Sequence, residues 1–226
     1  MKSEMRGLRP KQTDVAAIDL FRDFTPEEMK EIDRVTVVRS LPRGYVLYTP
    51  GETGEALFVL RAGSVQIYRM SAEGRKLVIA HLLPFSFFGE MSCIGHKRYD
   101  TYAEAMEDSM IITMNCADLE RLLLSRPEVA LRILEGMGQR LLEAEQQLED
   151  TAFKRLITRV AALLLREASG DEVEGLSHQD IAERLGVYRE TATNALNELK
   201  TGNIIRIGRK RIFILDHERL KQIAQA

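Results

Sequence analysis

Five polar side chains, of types that can hydrogen-bond to DNA bases, lie within nine residues of one another. Arg189, Glu190, Thr193, Asn194 and Asn197 lie at i, i+1, i+4, i+5 and i+8, so an α-helix would place them on one face. Arginine can donate two hydrogen bonds to guanine, glutamate can accept one from cytosine, and asparagine can pair with adenine. Such a face is also typical of an ordinary solvated helix. The residue types nevertheless favour a helix that reads base edges in the major groove.

The surrounding segment, residues 176–200, supplies the frame that such a helix needs. Ser177, followed three residues later by Asp180, is typical of a capping box that starts a helix, and Gly186 is typical of the residue that ends one. A second helix follows after a short gap. Two short helices joined by a glycine-containing turn predict a helix-turn-helix.

Groups that suit the DNA backbone lie on either side of the second helix. Residues 177–179 begin the first helix, and the basic run 208–211 is the tip of a predicted hairpin that would act as a wing. The predicted DNA-binding residues are Ser177, His178, Gln179, Tyr188, Arg189, Glu190, Thr191, Thr193, Asn194, Arg209 and Lys210. Charge agrees with this placement: residues 1–151 carry 19 basic and 24 acidic side chains (−5), whereas residues 152–226 carry 13 and 10 (+3).

The composition argues against several classes of protein. The 226 residues include no apolar run of about 18, which disfavours a membrane span, and the polar N-terminus does not resemble a secretory signal. Only two cysteines are present, so a cytoplasmic protein is expected. No metal-ligand spacing, nucleophile–base pair or GxxxxGK loop is found, and we therefore expect neither an enzyme nor a metal site.

The sequence pattern of residues 35–115 is typical of a β domain. Short β-branched runs alternate with Gly or Pro turns, which predicts an antiparallel sandwich or barrel. Gly63 and Gly74 lie where hairpins need positive φ. The predicted strands are residues 35–40, 45–49, 56–63, 64–70, 76–83 and 109–115.

Helical periodicity takes over beyond the β domain. Pro127 opens a heptad-like stripe, which predicts a long helix that pairs with its twin in a two-fold dimer. The alternative is a helix that packs this stripe onto its own β domain. The predicted interface residues are Leu131, Leu134, Gly138, Leu141, Glu145 and Leu148. Further on, residues 153–168 predict another helix, 170–175 a turn, and the C-terminus a last helix.

The segment 87–105 (FFGEMSCIGHKRYDTYAEA) looks shaped to hold a small anion. The tight turn at Gly89-Glu90 would present backbone N–H groups to a phosphate. A carboxylate, Asp100, stands where a fixed cation would be expected, and Arg98 is the nearest replacement. Three interpretations remain open: a phosphate pocket, a pocket for another ligand, or a loop of the same shape. The candidate pocket residues are Gly89, Glu90, Met91, Ser92, Arg98, Asp100 and Thr101.

Together these motifs resemble the cyclic-AMP receptor/fumarate–nitrate regulator family of bacterial transcription factors over about residues 18–220. The resemblance implies an α+β fold: an N-terminal lead-in (1–17), a cyclic-nucleotide-binding-type β jelly-roll (18–126), a dimerisation helix (127–151) and a winged helix-turn-helix (152–226). It also implies a homodimer on a palindromic DNA site that contacts RNA polymerase. Arg189 and Glu190 match the family's base-reading pair.

Departures from the family pattern concern specificity and ligand. Asn194 stands where cyclic-AMP-responsive members carry a second arginine, so we expect a half-site related to, but distinct from, TGTGA. With Asp100 in the pocket, we expect an effector other than cyclic AMP, or none. A cyclic-nucleotide-responsive regulator, or a cyclic-nucleotide-binding module that acts on a protein partner, is the alternative.

Other cofactors are disfavoured by the residue types present. An iron–sulfur cluster needs about four thiolates, and haem would have to use His81 or His96, which are more typical of structural histidines. Cys93 and Cys116 are interpreted as small core residues, with a redox switch as the alternative if the fold brings them together.

Overall fold

The computed structural model describes residues 19–21 and 23–225; the predicted lead-in, residues 1–17, lies outside them. The chain divides into two compact units. One comprises the described residues up to Arg69 together with Ile79–Arg140, and the other comprises Met70–Val78 together with the chain from Leu141 onward. Each unit has its own core.

Two four-stranded sheets, with orders β1-β8-β3-β6 and β2-β7-β4-β5, make up most of the first unit; Met70 of β4 and Lys76–Val78 of β5 group with the second. The paired strands are antiparallel; Val38 of β1, for example, lies opposite Ile112 of β8. The strands are β1 (Thr36–Leu41), β2 (Val46–Tyr48), β3 (Ala56–Ala62), β4 (Val65–Met70), β5 (Lys76–Leu82), β6 (Phe87–Phe88), β7 (Tyr102–Ala105) and β8 (Ser109–Asn115). This is the predicted jelly-roll.

All six predicted strands are present, and the structure adds two that the sequence pattern does not predict, β6 and β7. The difference has a physical cause: β6 is only two residues long, and β7 (YAEA) contains no β-branched side chain. The hairpin glycines Gly63 and Gly74 adopt φ angles of 86° and 79°, as predicted.

Side chains from both sheets share one core. Leu60 and Ile111 of the first sheet and Val65 and Ala103 of the second are 0–1% exposed and belong to the same apolar cluster, so the sheets pack face to face. Burial of each large aliphatic side chain contributes about 1.5–3 kcal/mol.

Helices cover the outer face of the first sheet. They are α1 (Pro26–Val35), α2 (Cys116–Ser125) and the first part of the 27-residue α3 (Pro127–Phe153). Thr25 and Glu28 form the capping box at the start of α1. Ile133 of α3 packs with Leu57 of β3 in a second apolar cluster, which fixes this part of α3 against the sheet.

The second unit has the helices and hairpin expected of a winged helix-turn-helix. They are α4 (Leu156–Glu167), β9 (Glu172–Glu174), α5 (His178–Leu185), α6 (Arg189–Thr201), β10 (Ile205–Gly208), β11 (Arg211–Ile214) and α7 (His217–Gln225). Its core includes Leu164, Ile181, Leu196 and Leu220, each 0% exposed.

One prediction for this unit is wrong. The sequence predicts a turn over residues 170–175, but Glu172–Glu174 forms a strand that pairs with β11 and gives the sheet order β10-β11-β9. Val173 is fully buried and anchors the strand in the core. A three-residue strand with glutamates on both sides is too short to show period-two alternation in sequence. Across the described part of the chain, none of the helices combines the length and apolar content needed to span a lipid bilayer.

Candidate nucleic-acid interface and small-molecule pocket

The helix-turn-helix forms as its local signals predict. The Asp180 N–H donates to Ser177 Oγ (3.2 Å) and the Ser177 N–H donates to Asp180 Oδ2 (2.8 Å), which is the predicted capping box of α5. Gly186 ends α5 at φ 66°. Tyr188 is the N-cap of α6 and makes no side-chain cap. Buried Ala182 and Ala192 let the two helices approach closely.

The outward face of α6 carries the residues singled out from the sequence. Arg189, Glu190, Asn194 and Asn197 are exposed, and Thr193 is half-buried. They occupy the first two and a half turns of α6, where side chains of a recognition helix contact base edges. Their assignment to DNA binding stays a prediction with which the geometry is consistent.

Thr193 has a partner that sequence reasoning did not anticipate. Its Oγ1 lies 3.0 Å from Nδ1 of His178 at the start of α5, so the two helices of the motif are joined by a side-chain hydrogen bond. Burial, and secondarily the positive charge of Arg189, lowers the pKa of His178. His178 is therefore favoured in its neutral form in the unbound protein.

The cations at the tip of the wing differ in what they contact. Arg209 and Lys210, in the turn between β10 and β11, are exposed, and Lys210 adopts φ 56°. Arg211, by contrast, forms ion pairs with Glu172 (3.2 Å) and Glu174 (3.1 Å) of β9. The strand not predicted from the sequence thus neutralises one of the charges in the basic run, and Arg209 and Lys210 remain the cations at the tip.

A groove of about 270 Å³ separates the start of α5 from the wing. Ser177, His178 and Gln179 line one side, Arg189 stands at the start of α6, and Lys210 lies on the wing side. The start of α5, the start of α6 and the wing therefore converge on one open, positively charged space. Helix N-terminal N–H groups and cations together suit a phosphate oxygen.

The turn at the start of the candidate pocket is built around Gly89. It has φ 84°, and a Cβ there would lie 2.8 Å from the carbonyl oxygen of Ala56. Ser92, 3% exposed, closes the turn by donating from Oγ to the Gly89 carbonyl (2.7 Å). Met91 is 46% exposed. A π-helical turn follows at Ser92–His96.

Glu90 is held by a residue that the sequence pattern does not single out. Its carboxylate is buried (3% exposed), and Oε1 accepts from Nη1 of Arg140 on α3 at 2.8 Å. Arg140 Nη2 also donates to the Phe87 carbonyl oxygen. Glu90 Oε2 is buried with no hydrogen-bond partner among the described residues. The signal for Arg140 is its helical spacing from the inward-facing Ile133, because a charge on a packed face needs a partner.

Aromatic rings fill the interior between the two sheets. Tyr48 and Tyr99 stack with centroids 3.8 Å apart, and Phe58 and Phe88 stack at 5.2 Å. Tyr48 is 5% exposed, shares a side-chain hydrogen bond with Thr101, and has its pKa raised by burial. The jelly-roll interior at this point is occupied by the protein's own side chains.

The charged residues considered as phosphate contacts lie on the surface. Arg98 is exposed and donates from Nη1 to the Gly51 carbonyl oxygen (3.2 Å). The Asp100 side chain is 74% exposed and pairs with Arg69, another residue that the sequence pattern does not single out. Asp100 is therefore neutralised by a neighbouring strand. The hydrogen bond of the Arg98 guanidinium goes to Gly51 and not to Glu90.

The interpretation of the two cysteines as separate core residues is wrong. Cys93 and Cys116 form a disulfide, with Cα atoms 5.0 Å apart. Cys93 follows the Gly89-Glu90 turn and Cys116 begins α2, and the β-sheet brings these two points together although 23 residues separate them in sequence. Both residues are half-buried. Sequence spacing alone does not reveal such a pairing.

The stripe predicted as a dimer interface is exposed on α3. Leu131, Leu134 and Leu141 are each 60% exposed and Leu148 is 71% exposed, and Gly138 and Glu145 are also exposed. The face of α3 that packs on the β-sheet is a different one, formed by Val129 and Ile133. The alternative that this leucine stripe packs on its own β domain is therefore wrong. No cluster of three His, Cys, Asp or Glu side chains suited to a metal ion occurs among residues 19–21 and 23–225.

Comparison with known proteins identifies the two parts of the chain. Residues 38–126 match the model of the cyclic nucleotide-binding domain, and residues 158–223 match that of the Crp-like helix-turn-helix domain. The transcriptional regulator SdrP of Thermus thermophilus is 31% identical over 198 residues, which cover 83% of this chain and 94% of that protein. The chain belongs to the Crp/Fnr family.

Further Crp/Fnr relatives agree with this identification. The cyclic AMP receptor protein of Thermus thermophilus is 28% identical over 208 residues, 91% of this chain and 96% of that protein. A Crp/Fnr-family regulator from Eubacterium rectale superposes with a TM-score of 0.79 at 23% identity, covering 92% of this chain and 98% of that one, which shows the shared fold. The predicted family and fold class are confirmed, and the protein is a Crp/Fnr-type DNA-binding transcription regulator.

Proposed function

We propose that this Crp/Fnr regulator binds a two-fold symmetric DNA site as a homodimer, with one α6 in each half-site. The groove between α5 and the wing is the observation that carries the proposal, because it gathers His178, Arg189 and Lys210 at one open surface. Neutral groups at the helix start and cations on the wing suit the DNA backbone, and the exposed face of α6 suits base edges.

Three side chains of α6 are proposed to set the sequence preference. Arg189 donates to guanine, Glu190 accepts from cytosine, and Asn194 pairs with adenine where cyclic-AMP-responsive members place arginine. Selection of binding sites from a random DNA pool tests this directly. We expect a palindrome whose half-site shares positions with TGTGA and differs from it at one base; recovery of TGTGA unchanged would contradict the role given to Asn194.

Dimerisation is proposed to use the leucine face of α3. Four leucines that are 60–71% exposed along one helix face would bury their apolar surface against a second copy. Leu134→Glu should convert the dimer to a monomer in sedimentation experiments and abolish binding to the full palindrome. Leu124→Glu is the matched control, because Leu124 is 79% exposed on α2 and lies outside this face. Equal dissociation of both variants would count against the assigned interface.

The effector is proposed to be something other than a cyclic nucleotide, or absent. Glu90 is already engaged by Arg140, the interior is filled by the Tyr48–Tyr99 stack, and Asp100 is paired with Arg69 at the surface. A nucleotide phosphate placed near this turn would therefore lack a dedicated cation. Calorimetric titration of the full chain with cyclic AMP and cyclic GMP should give no binding heat.

The second candidate is a cyclic-nucleotide-responsive regulator. It is favoured by the match of residues 38–126 to the cyclic nucleotide-binding domain and by the retained Gly89-Glu90 turn. Saturable binding heat with either nucleotide would establish it. Contact with RNA polymerase and a cytoplasmic location, where DNA is accessible, complete the proposal and rest on the family alone.

A further inference from the structure

The Cys93–Cys116 disulfide lies at a junction between three elements of the first unit. Cys93 is in the π-helical turn that follows Glu90, and Cys116 is the first residue of α2, immediately after β8. Cys116 Sγ also lies 3.8 Å from the carbonyl oxygen of Gly54. The bond therefore ties the segment 87–93, here called the cassette, to α2 and the end of the β-sheet.

The cassette is held on its other side by α3. A Cβ at Gly136 would lie 2.7 Å from Phe87 Cζ, so the ring packs directly on the helix backbone. The Arg140 guanidinium lies over the same ring, 4.9 Å from its centroid, and forms the 2.8 Å pair with Glu90. Glu90 is only three residues from Cys93. The disulfide and the arginine thus fix the two ends of one short segment.

The position of the disulfide is more typical of a reversible bond than of a structural disulfide buried in a core. Both cysteines are half-buried rather than enclosed in the core, and the adjoining Ile94 is 56% exposed. Disulfides in reducing compartments are usually transient and redox-sensing. A DNA-binding regulator works in such a compartment.

We propose that Cys93 and Cys116 form a redox-modification site whose dithiol and disulfide states set the affinity for DNA. The reactant is a small cellular thiol. Its thiolate attacks Sγ of Cys93, breaks the S–S bond and releases the thiolate of Cys116, which the N-terminus of α2 stabilises. A second thiol then displaces the first from Cys93, giving the free dithiol and one small-molecule disulfide. Reoxidation runs the same exchange backwards, with that disulfide as the oxidant.

The disulfide state is the one that holds the DNA-competent form. With the bond intact, the cassette keeps Glu90 against Arg140 and fixes α3, which carries the leucine face. With the bond broken, the cassette is free to move away from α2, and the buried Glu90–Arg140 pair, in which Glu90 Oε2 already lacks a partner among the described residues, is less well held. Reduction should weaken DNA binding about tenfold, within the usual range of coupling between sites.

This inference rests on the proposed dimeric DNA binding, and the experiment separates the two. The full chain is titrated with its selected palindrome by fluorescence anisotropy, after treatment with oxidised or reduced dithiothreitol. Because the sequence contains only two cysteines, any difference is localised to this pair. Wild type should bind about tenfold more tightly when oxidised. Cys93→Ala/Cys116→Ala should show one affinity, close to that of the reduced protein, in both treatments.

Arg140→Gln tests the route of the coupling. It leaves both cysteines in place, so the disulfide should still form, but the affinities of the oxidised and reduced forms should converge. Hydrogen exchange of residues 87–93 and 133–140 provides a readout that does not depend on DNA, and both segments should exchange faster after reduction.

The outcomes are distinguishable. Equal affinities and equal exchange in the two treatments, or two free thiols after oxidation, would overturn the redox site. Redox-dependent exchange without specific DNA binding in either state would support the redox site while defeating the proposed dimeric function.

Discussion

Two clusters of charged side chains differ in whether their charges are paired within the chain. In the groove between α5 and the wing, Arg189 and Lys210 are exposed and converge on open space. In the cassette, the buried carboxylate of Glu90 is paired with Arg140 of the same chain. The first cluster needs a polyanion to complete it, whereas the second is closed by the protein's own arginine. The two clusters therefore differ in that the cations of the groove face open space, whereas the carboxylate of the cassette is paired within the chain.

The largest effect on free energy is expected from removing Arg140 from its pair with Glu90. Arg140→Gln should lower the free energy of unfolding by about 3 kcal/mol, because it leaves the buried Glu90 carboxylate without its partner. Chemical denaturation of the oxidised protein measures this. Glu90→Gln combined with Arg140→Gln is the matched control and should lose less than the sum of the single changes. Additive losses would show that the pair contributes nothing as a pair.

Removing a base-reading side chain from the open cluster should have the next largest effect. Arg189→Ala should weaken binding to the selected palindrome by about 1–3 kcal/mol and relax the preference at one base of each half-site. Anisotropy titrations against a set of single-base variants measure both. Arg166→Ala, which removes a 67% exposed arginine from α4, is the control and should leave the preference intact.

A smaller and sequence-independent effect is expected at the wing. Lys210→Ala should reduce the slope of log affinity against log salt by about 0.9 for each phosphate that the lysine neutralises, with the base preference unchanged. Lys221→Ala removes the same charge from α7 and should leave the slope as it is. If both variants lower the slope equally, the effect is one of net charge and the wing has no special role.

The smallest effect concerns pH and His178. Burial, with Arg189, lowers the pKa of His178 in the folded protein below its usual value of about 6.5, so folding favours the neutral ring. Its contribution to stability is therefore fully present above about pH 6.5 and is lost as pH falls through the lowered pKa. The melting temperature of wild type should fall toward that of His178→Gln as the pH is lowered from about 7.5 to about 5. A constant difference across this range would contradict the shift.

Local signals explain why the helix-turn-helix could be predicted from the sequence. The capping box at Ser177, the αL turn at Gly186 and the small residues Ala182 and Ala192 each act within a few residues, and the structure confirms all of them. The six predicted strands carry similar local marks in their β-branched runs and turn glycines.

Long-range pairings explain what the sequence does not predict. Arg140 and Glu90 are 50 residues apart, Arg69 and Asp100 are 31 apart, and the two cysteines are 23 apart. No local pattern specifies which of several strands or helices will lie opposite a given side chain. The charge of Asp100 could be read from the sequence, but its neutralisation by Arg69 depends on the pairing of β4 with β7. The strand at Glu172–Glu174, which pairs with β11 and places Glu174 opposite Arg211, is not predicted from the sequence for the same reason.

The contrast between an open DNA groove and a closed pocket is tested most directly by DNA affinity with and without cyclic AMP. The oxidised full chain is titrated with its selected palindrome in the absence of nucleotide and again at saturating cyclic AMP. We predict the same dissociation constant in both titrations, because Glu90 is already paired with Arg140 and the rings of Tyr48 and Tyr99 already stack on each other. Tight, sequence-specific binding that appears only when cyclic AMP is added would contradict the account.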